Sequence, residues 1–506
     1  STLAESYNYG VRVHSDAHTI SDNAIYGNAS YGVYNGNTAL ITVRAENNWW
    51  GADSGPAPYG AGDGINYRSC YDAVRKVYYV CQYYVDADPW IGKEAYIQSQ
   101  MGQTHTAGYQ ALVAQGVNTA HGNLTYSHTD LSILTRGLPL DFVRTYNGLA
   151  PQVGALGWGW THGWGLLLTE NITDGTVLVA FGDGQAEQWV WNGAAYEGGP
   201  GVHGTLVKNG DGSFDLTQKD QTLYHFDGGR LAWAEDRNGN RTTLAYDGQA
   251  RLATITGPAG RAMTLGYTSP VSSGLISQVS DPIGRSVHLT YTLNGELFEW
   301  ADALGSVTTA TYDGNHRLLS IADANGHVVV RNVYDAKGRV SDQYDALDNL
   351  TAFAYDEPSH LTLVTNPRGH TTVYQYDPGW RLTGETDPLA HSASYTYDGD
   401  HNRTSIQGKR GHTTRLAYDD RGNATVVTDT LGYIHTMTYD ARNNLTRESD
   451  PLGHTKVYTY DLSGNLVALA DPLGNVTSWA YDGYGQRVER TDALGRVTGY
   501  AYDGYG

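Results

Sequence analysis

Residues 465–485 read NLVALADPLGNVTSWAYDGYG, and this stretch decides the fold. The apolar run Asn465–Ala470 is followed by Asp471-Pro-Leu-Gly474, in which Pro second and Gly fourth suit a type I turn. A second run, Val476–Tyr481, is rich in strand-forming residues and ends at the turn Asp482-Gly-Tyr-Gly485. Two short strands and two turns account for these residues, so the stretch predicts one antiparallel β-hairpin.

The Tyr-Asp dipeptide that closes this hairpin recurs along the C-terminal half of the chain. From Tyr334 onward the step is 21 residues, eight times in succession, and so regular a period indicates a repeat architecture. The repeat tyrosines are Tyr246, Tyr312, Tyr334, Tyr355, Tyr376, Tyr397, Tyr418, Tyr439, Tyr460, Tyr481 and Tyr502. An open sheet seldom exceeds about ten strands without curling, so residues 236–506 are predicted to coil into a spiral, a shell or a tube.

The residues around each repeat tyrosine indicate which face of the sheet packs. The residue two before the tyrosine lies on the same strand face and is aromatic or aliphatic, as at Phe353, Met437 and Trp479. The residue between is small or polar in most units. The pattern favours a continuous stripe of packed side chains between neighbouring hairpins. The alternative is a platform that binds sugars or aromatic ligands.

The segment before the repeats, residues 121–235, also predicts strands and Gly/Asp turns but has no 21-residue period. Its stretch Gly157-Trp-Gly-Trp-Thr-His-Gly-Trp164 is predicted to be a core plug for the first turn of sheet, because tryptophan rings bury large areas. His162 is expected to be a core or turn histidine and not a ligand. Residues 93–120 are predicted to be a connector with one helical turn around Gln110–Ala114.

The first ninety residues have a different sequence period. Tyr9-Gly-Val11 recurs as Tyr31-Gly-Val33, a step of 22, among Asn-rich turns, which suggests coils of a parallel β-helix. The two cysteines of the chain, Cys70 and Cys81, are predicted to form a disulfide, since the composition is of a secreted type. Two buried free thiols are the alternative.

Charge and composition exclude several classes of partner. The chain of 506 residues has 33 Lys and Arg against 53 Asp and Glu, a formal net charge of −20, which disfavours nucleic acid and anionic membrane surfaces. No run of 18 apolar residues is present, so we expect no membrane-spanning segment. With 62 Gly and 39 Tyr, the composition suits short strands joined by tight turns.

The usual catalytic motifs of metalloproteases, α/β-hydrolases and P-loop proteins are absent from the sequence, so we expect no enzyme activity, no cofactor and no metal. His14, Asp16, His18 and Asp22 lie close together, as polysaccharide-cleaving β-helices often require. We favour the alternative that they are solvated side chains. Asp-Gly turns could offer oxygens to calcium, but none carries the dense run of acids that a dedicated site needs.

The Tyr-Asp dipeptides, Gly464-Asn-Leu466 and the turn Asp450-Pro-Leu-Gly453 resemble the RHS/YD-repeat family. Gly122-Asn-Leu-Thr125 and Arg136-Gly-Leu-Pro-Leu140 resemble the usual preface to the repeats of that family. The resemblance covers about residues 121–506. It implies an all-β fold, in which a spiralling antiparallel β-sheet forms a shell or tube and residues 121–235 form a β-rich plug.

Residues 1–92 resemble the C-terminal coils and cap of a right-handed parallel β-helix of the pectate-lyase-like kind. The similarity is carried by Asn47-Asn-Trp-Trp-Gly51 and Asp88-Pro-Trp-Ile-Gly92. The domain prediction is therefore a β-helix segment at 1–92, the connector at 93–120, the leading segment at 121–235, and YD repeats at 236–506.

The resemblance implies a secreted or cell-surface location. Some relatives enclose a toxic C-terminal domain, and others serve in cell-surface contact or adhesion. The favoured hypothesis is a non-catalytic extracellular structural or adhesive protein, with cell-surface glycans, proteins or further copies of itself as partners. The alternatives are a containment shell for a C-terminal toxin domain and a carbohydrate-active β-helix enzyme. Both ends lie inside a repeat pattern, so we expect a piece of a longer polypeptide.

Overall fold

The computed structural model describes residues 111–148, 153–172, 175–268 and 274–506, together with the backbone of eight short strands between Thr2 and Val80. The chain divides into two units, Ser1–Met101 and Gly102–Gly506. All regular elements in these described parts are β-strands, which confirms the all-β class.

The described strands of the first unit include three parallel pairs. Tyr9 pairs with Tyr31 and Thr2 with Ala24, so the partners in these two pairs lie one 22-residue sequence repeat apart, whereas His18 pairs with Val43. The β-helix itself stays a prediction, because the segments that would join these strands lie outside the described residues. The strands are β1 Thr2–Ala4, β2 Tyr9–Val13, β3 His18–Thr19, β4 Ala24–Tyr26, β5 Tyr31–Asn35, β6 Val43–Arg44, β7 Ser69–Asp72 and β8 Val77–Val80.

The predicted disulfide falls near the last of these strands. Cys70 lies in β7, which pairs antiparallel with β8, and its partner across the ladder is Tyr79. Cys81 lies outside the described residues, so the Cys70–Cys81 bond stays a prediction. We expect that alkylation of the denatured chain without reductant modifies no cysteine, whereas prior reduction allows two to be modified. Mass spectrometry that finds both thiols alkylated without reductant would refute the disulfide.

The second unit begins with short strands and a three-stranded sheet in the order β11-β12-β15. The helical turn expected around Gln110–Ala114 is wrong for Leu112 and Val113, which form a strand. Ala114 and Gly116 adopt φ of 50° and 86°, so they reverse the chain into β10 and do not continue a helix. The strands are β9 Leu112–Val113, β10 Val117–Asn118, β11 Thr125–Ile133, β12 Leu140–Asn147, β13 Val153–Gly154, β14 Gly157–Trp158 and β15 Trp160–His162.

The rest of the unit is one 33-stranded antiparallel sheet in which each strand pairs with the next along the chain. Strand β16 also pairs with β23 through Leu167 and Arg230, so the first strands of the sheet close on themselves. These strands are β16 Leu167–Glu170, β17 Val177–Ala180, β18 Ala186–Trp191, β19 Tyr196–Gly198, β20 Thr205–Lys208, β21 Phe214–Thr217, β22 Leu223–Asp227, β23 Arg230–Glu235, β24 Arg241–Tyr246, β25 Leu252–Thr256, β26 Ala262–Tyr267, β27 Ile276–Ser280, β28 Ser286–Tyr291, β29 Leu297–Ala301, β30 Val307–Tyr312, β31 Leu318–Ala322 and β32 Val328–Tyr334. They continue as β33 Val340–Asp345, β34 Leu350–Asp356, β35 Leu361–Thr365, β36 Thr371–Tyr376, β37 Leu382–Thr386, β38 Ser392–Tyr397, β39 Arg403–Gln407, β40 Thr413–Tyr418, β41 Ala424–Thr428, β42 Ile434–Tyr439, β43 Leu445–Ser449, β44 Thr455–Tyr460, β45 Leu466–Ala470, β46 Val476–Tyr481, β47 Arg487–Thr491 and β48 Val497–Gly499.

The predicted division of the 21-residue period into two strands and two turns is confirmed. The turn Asp471–Asn475 shows how the chain reverses. The Gly474 N–H donates to the Asp471 carbonyl and the Asp471 N–H donates to the Asn475 carbonyl, both at 2.9 Å. Gly474 has a φ of 82°, which favours glycine. The Asp471 carboxylate accepts the N–H groups of Leu473 and Asn475, so the turn satisfies its own backbone.

Because every strand has about the same length, the turns form two rims. We call the turns that follow the repeat tyrosines the Tyr-Asp rim, and those at the opposite edge the Asp-Pro rim. Late turns of the Tyr-Asp rim lie on early turns of the Asp-Pro rim. Lys219 Nζ donates to the Gly422 carbonyl at 2.8 Å, and Asn240 Nδ2 donates to the Tyr484 carbonyl at 2.8 Å. The sheet therefore winds back over itself, as expected of a spiral.

Candidate functional site

The repeat tyrosines join the two strands of each hairpin at the Tyr-Asp rim. In most units the tyrosine hydroxyl donates to the backbone carbonyl that opens the preceding strand, at 2.6–2.9 Å. The donors are Tyr246, Tyr312, Tyr334, Tyr355, Tyr397, Tyr418, Tyr460, Tyr481 and Tyr502, and their acceptors are Leu231, Leu297, Leu318, Val340, Leu382, Arg403, Leu445, Leu466 and Arg487. Tyr376 instead bonds the hydroxyl of Thr119, which lies just before the leading segment, and Tyr439 takes the same strand position in β42.

A β-bulge sets the orientation of these tyrosines. The register shifts at the tyrosine itself in most repeats, for instance between Thr396 and Tyr397. The residue two before, such as Phe353 or Met437, is buried, whereas most repeat tyrosines are half-buried at the strand end. The ring therefore covers the edge of the core while its hydroxyl satisfies a carbonyl group. The stripe expected from the sequence lies at these positions, and its outer margin is this row of tyrosines.

Burial raises the pKa of tyrosines in this row. Loss of solvation raises the pKa of Tyr246 and Tyr460 to about 12, and likewise that of Tyr267, which ends β26 at the equivalent position without a following Asp. It also raises the pKa of Tyr312, Tyr334 and Tyr355. Each of these phenols is thus held neutral in the folded chain at a pH at which an exposed tyrosine, with a pKa of about 10, begins to ionise.

We expect the chain to unfold in alkali, between about pH 10 and 12. A folded-state pKa above the unfolded value gives stability that is complete below pH of about 10 and is lost as pH rises towards 12. Phenolate absorbance and the loss of β-sheet circular dichroism should therefore rise together in one steep step. If most phenols ionised near pH 10 while the sheet signal stayed unchanged, the row would be exposed.

The tryptophans of the leading segment contact the sheet. Trp160 is fully buried, packs against Trp300 with ring centroids 6.0 Å apart, and donates from Nε1 to the Tyr312 hydroxyl at 2.9 Å. Trp158 stacks on His316 at 4.1 Å. His162 is buried against Phe142, and burial lowers its pKa to about 4, so it is a neutral core histidine.

The charged pair at the centre of this contact was not anticipated from the sequence. The side chains of Arg144 in β12 and Asp130 in β11 are 0% and 2% exposed. Arg144 Nη2 donates to Asp130 Oδ1 at 2.7 Å, and Nε donates to the other oxygen. The guanidinium carbon lies 4.6 Å from the Trp300 ring of the sheet. Only the β-bulge between Thr129 and Leu131 brings Asp130 to this place, and the sequence carries no sign of it.

The buried face of the sheet changes character along the spiral. Opposite the residue two before the tyrosine, early hairpins carry Ile255, Val279 and Ile321, all fully buried. Some later hairpins carry polar residues there, among them Glu448, which accepts a bond from the Tyr458 hydroxyl at 2.9 Å, and Arg490 opposite Trp479, whereas others carry Val427 and Leu469. The face is mostly aliphatic in the early hairpins, with Trp300 opposite Leu289, and mixes aliphatic, aromatic and charged residues in the later ones.

The turn aspartates and the His/Asp cluster near the start of the chain are the other candidate sites from the sequence. The turn aspartates use their carboxylates on backbone N–H groups, as Asp398 does with Asp400 and Asn402, which agrees with ordinary turns. His14, Asp16 and Asp22 lie outside the described residues. In the described parts of the chain, no three His, Cys, Asp or Glu side chains are grouped to hold a metal ion. No described helix is long and apolar enough to cross a bilayer.

Comparison with family models gives two matches. The RHS Repeat model matches residues 291–328, 359–392, 418–455, 439–477 and 460–497. A model described as a domain of unknown function, DUF6531, matches residues 114–189, which include the Arg144–Asp130 pair and the tryptophans.

Comparison with individual proteins gives partial similarities. The tRNA nuclease WapA of Bacillus subtilis strain 168 and the tRNA(Glu)-specific nuclease WapA of Bacillus subtilis subsp. natto are each 32% identical over 140 residues. That match covers 27% of this chain, and the chain spans 6% of the length of these relatives.

Solved structures align with this chain at low TM-scores. The structure of TcdB2-TccC3 without its hypervariable C-terminal region aligns with a TM-score of 0.41 and 12% identity, over 71% of this chain and 24% of that chain. The Photorhabdus luminescens Tc holotoxin pore aligns with a TM-score of 0.30 and 14% identity, over 63% of this chain and 23% of that one.

Proposed function

Because this chain belongs to the RHS/YD-repeat family, we propose that it is a non-catalytic structural module of a secreted or cell-surface polypeptide. The observation that carries the proposal is the continuous sheet, in which tyrosine hydroxyls join the two strands of each hairpin and late turns of the Tyr-Asp rim lie on early turns of the Asp-Pro rim. Each hairpin depends on its neighbours for burial, so the array acts as a wall. Cell-surface glycans, proteins and further copies of the chain stay the expected partners.

The bacterial relatives are named as tRNA nucleases. We propose that this chain forms a structural wall of hairpins and does not itself cleave RNA. A formal charge of −20 supports this, because an acidic protein repels the phosphate backbone.

Two assays on the purified chain test the module. We expect tRNA and pectin-type polysaccharides to stay intact on incubation with the chain, with or without divalent cations. Thermolysin should leave a resistant core that covers most of residues 121–506. If polysaccharide cleavage appeared and was lost in Asp16→Asn, the carbohydrate-active alternative would replace this proposal.

A second candidate function is containment of a toxin domain. It is favoured by the aromatic and charged residues that appear on the buried face in the later hairpins. The aromatic and charged side chains of the later hairpins suit contact with a polypeptide held against the wall, and Tyr500 at the last strand is 39% exposed. The early face is mostly aliphatic, and its Trp300 is covered by Trp160.

Containment can be tested with an unfolded passenger that carries a protease site. The passenger is joined to Gly506 in one protein and to Ser1 in a matched control. A contained passenger would be cleaved much more slowly at Gly506 than at Ser1. Equal cleavage at both ends would leave the structural module without a containment role.

A further inference from the structure

The last turns of the Tyr-Asp rim rest on arginine side chains. Tyr484 is the third residue of the turn that begins at Asp482, and the guanidinium carbon of Arg136 lies 3.6 Å from its ring centroid. Tyr505 is the third residue of the next turn, and Arg261 lies 3.7 Å from its ring. Both turns read Asp-Gly-Tyr-Gly. Two successive tyrosines thus each stack on a guanidinium group, a favourable contact.

The receiving surface combines the Asp-Pro rim with the end of β11 and the residues after it. Arg261 ends the rim turn 257–261, and its Nη1 donates to the Leu134 carbonyl at 2.9 Å, which fixes the guanidinium. The Arg136 N–H donates to the Tyr505 carbonyl at 3.1 Å. Each late turn is therefore held by a stacked ring and by a hydrogen bond to its tyrosine carbonyl, from the Asn240 side chain at Tyr484 and from the Arg136 N–H at Tyr505.

Arg285 repeats the arrangement of Arg261 one turn further along the Asp-Pro rim. It ends the turn Asp281–Arg285, its Nη2 donates to the Ser132 carbonyl at 2.8 Å, and its Nε pairs with Asp281 at 2.5 Å. The guanidinium is thereby held in place, yet the side chain is 44% exposed.

A pocket of about 240 Å³ adjoins Arg285. Arg261 and Arg285 both line it, together with Leu134 and Ile283, which are each 73% exposed. A fixed cation beside exposed apolar side chains suits an aromatic ring, because the ring covers apolar surface and stacks on the guanidinium.

We propose that Arg285 and this pocket bind the tyrosine of a further Asp-Gly-Tyr-Gly turn, carried by a YD hairpin joined in series to the last one. The pocket continues an interface that already exists at Arg136 and Arg261. One hairpin separates Tyr484 from Tyr505, and one step of the Asp-Pro rim separates Arg261 from Arg285. The proposal goes beyond a structural role, since it names the chemistry by which the sheet accepts its next hairpin.

The contact between Arg261 and Tyr505 provides a reference for the change in hydrogen exchange. In the present chain, Arg261→Ala should speed hydrogen exchange in the turn that contains Tyr505. We expect about a 2- to 30-fold change, the range that corresponds to loss of one cation–π contact. Arg285→Ala should leave that turn unchanged.

The test extends the chain by one unit, a copy of residues 486–506 placed after Gly506. Extension should slow exchange at residues 281–285 and 132–134 by about 2- to 30-fold relative to the present chain. Arg285→Ala, or alanine in place of the appended copy of Tyr505, should each abolish that protection. The two changes together should do no more than either alone.

Three results would overturn the proposal. The first is an appended hairpin that is protected while residues 281–285 exchange as before. The second is an appended hairpin that exchanges as unfolded chain. The third is protection at 281–285 that appears without extension and grows with protein concentration, since the occupant would then be a second copy. All three are independent of substrate cleavage, which tests the structural role.

Discussion

Replacing Asp130 by Asn is expected to lower the free energy of unfolding by about 3–5 kcal/mol, the usual cost of leaving one partner of a buried ion pair without its counter-charge. The Arg144 side chain is completely buried and is enclosed by Trp160 and Trp300. The amide that replaces the carboxylate would keep some hydrogen bonding but would supply no negative charge. Urea unfolding followed by tryptophan fluorescence measures the change directly, because two indole rings lie against the pair.

The matched control is Asp141→Asn on the neighbouring strand. The Asp141 carboxylate accepts a bond from Ser132 at the surface, and an amide oxygen can accept the same bond. Its expected change is within about 0.5 kcal/mol. A loss below about 1 kcal/mol for Asp130→Asn would mean that water reaches the Arg144 guanidinium and that the pair does not hold the leading segment in the spiral.

Replacing Trp160 by Ala is expected to cost about 3–5 kcal/mol, the range for a fully buried aromatic side chain. The indole fills the space between Tyr146 and Trp300, and its N–H bonds the hydroxyl of Tyr312, which itself donates to Leu297. The substitution would open a cavity at the place where the leading segment meets the repeats. Differential scanning calorimetry should show a lower unfolding temperature for the whole second unit.

Trp191→Ala serves as the control for that change. Trp191 is 46% exposed on β18 and makes one edge contact with Tyr196, so the expected loss is about 0.5–1.5 kcal/mol. Equal losses at positions 160 and 191 would contradict a plug that depends on the Trp160 indole.

The hairpins could be predicted because the signals that form them are local. Alternation of apolar residues sets the face of each strand, and Asp at the first position with Gly at the fourth sets the turn, as at Asp471 and Gly474. Both signals lie within the period of 21 residues and repeat, so each unit supports the next. The half-buried position of the tyrosine was not foreseen, because it depends on a bulge at Tyr397 and its equivalents, and bulges leave little trace in composition.

The contacts that join distant parts of the chain could not be predicted. Trp160 and Tyr312 are 152 residues apart, and Asn240 and Tyr484 are 244 apart, and no periodicity relates such partners. Their positions follow from the circumference of the spiral, which accumulates small twists over many strands. The buried Glu448 would also be read as outward-facing from sequence alone, because its burial depends on this closure.

The central claim is that each hairpin is closed by its repeat tyrosine and held by its neighbours in the continuous sheet, and hydrogen exchange on Tyr397→Ala tests it most directly. Tyr397 donates to the Leu382 carbonyl at 2.6 Å, and its ring covers the edge of the core. The change should speed exchange by about tenfold or more between residues 374 and 418 and leave residues 246–280 as before. Tyr397→Phe, which keeps the ring, should show a smaller effect in the same place. Uniform loss of protection along the sheet, or no loss anywhere, would contradict the claim.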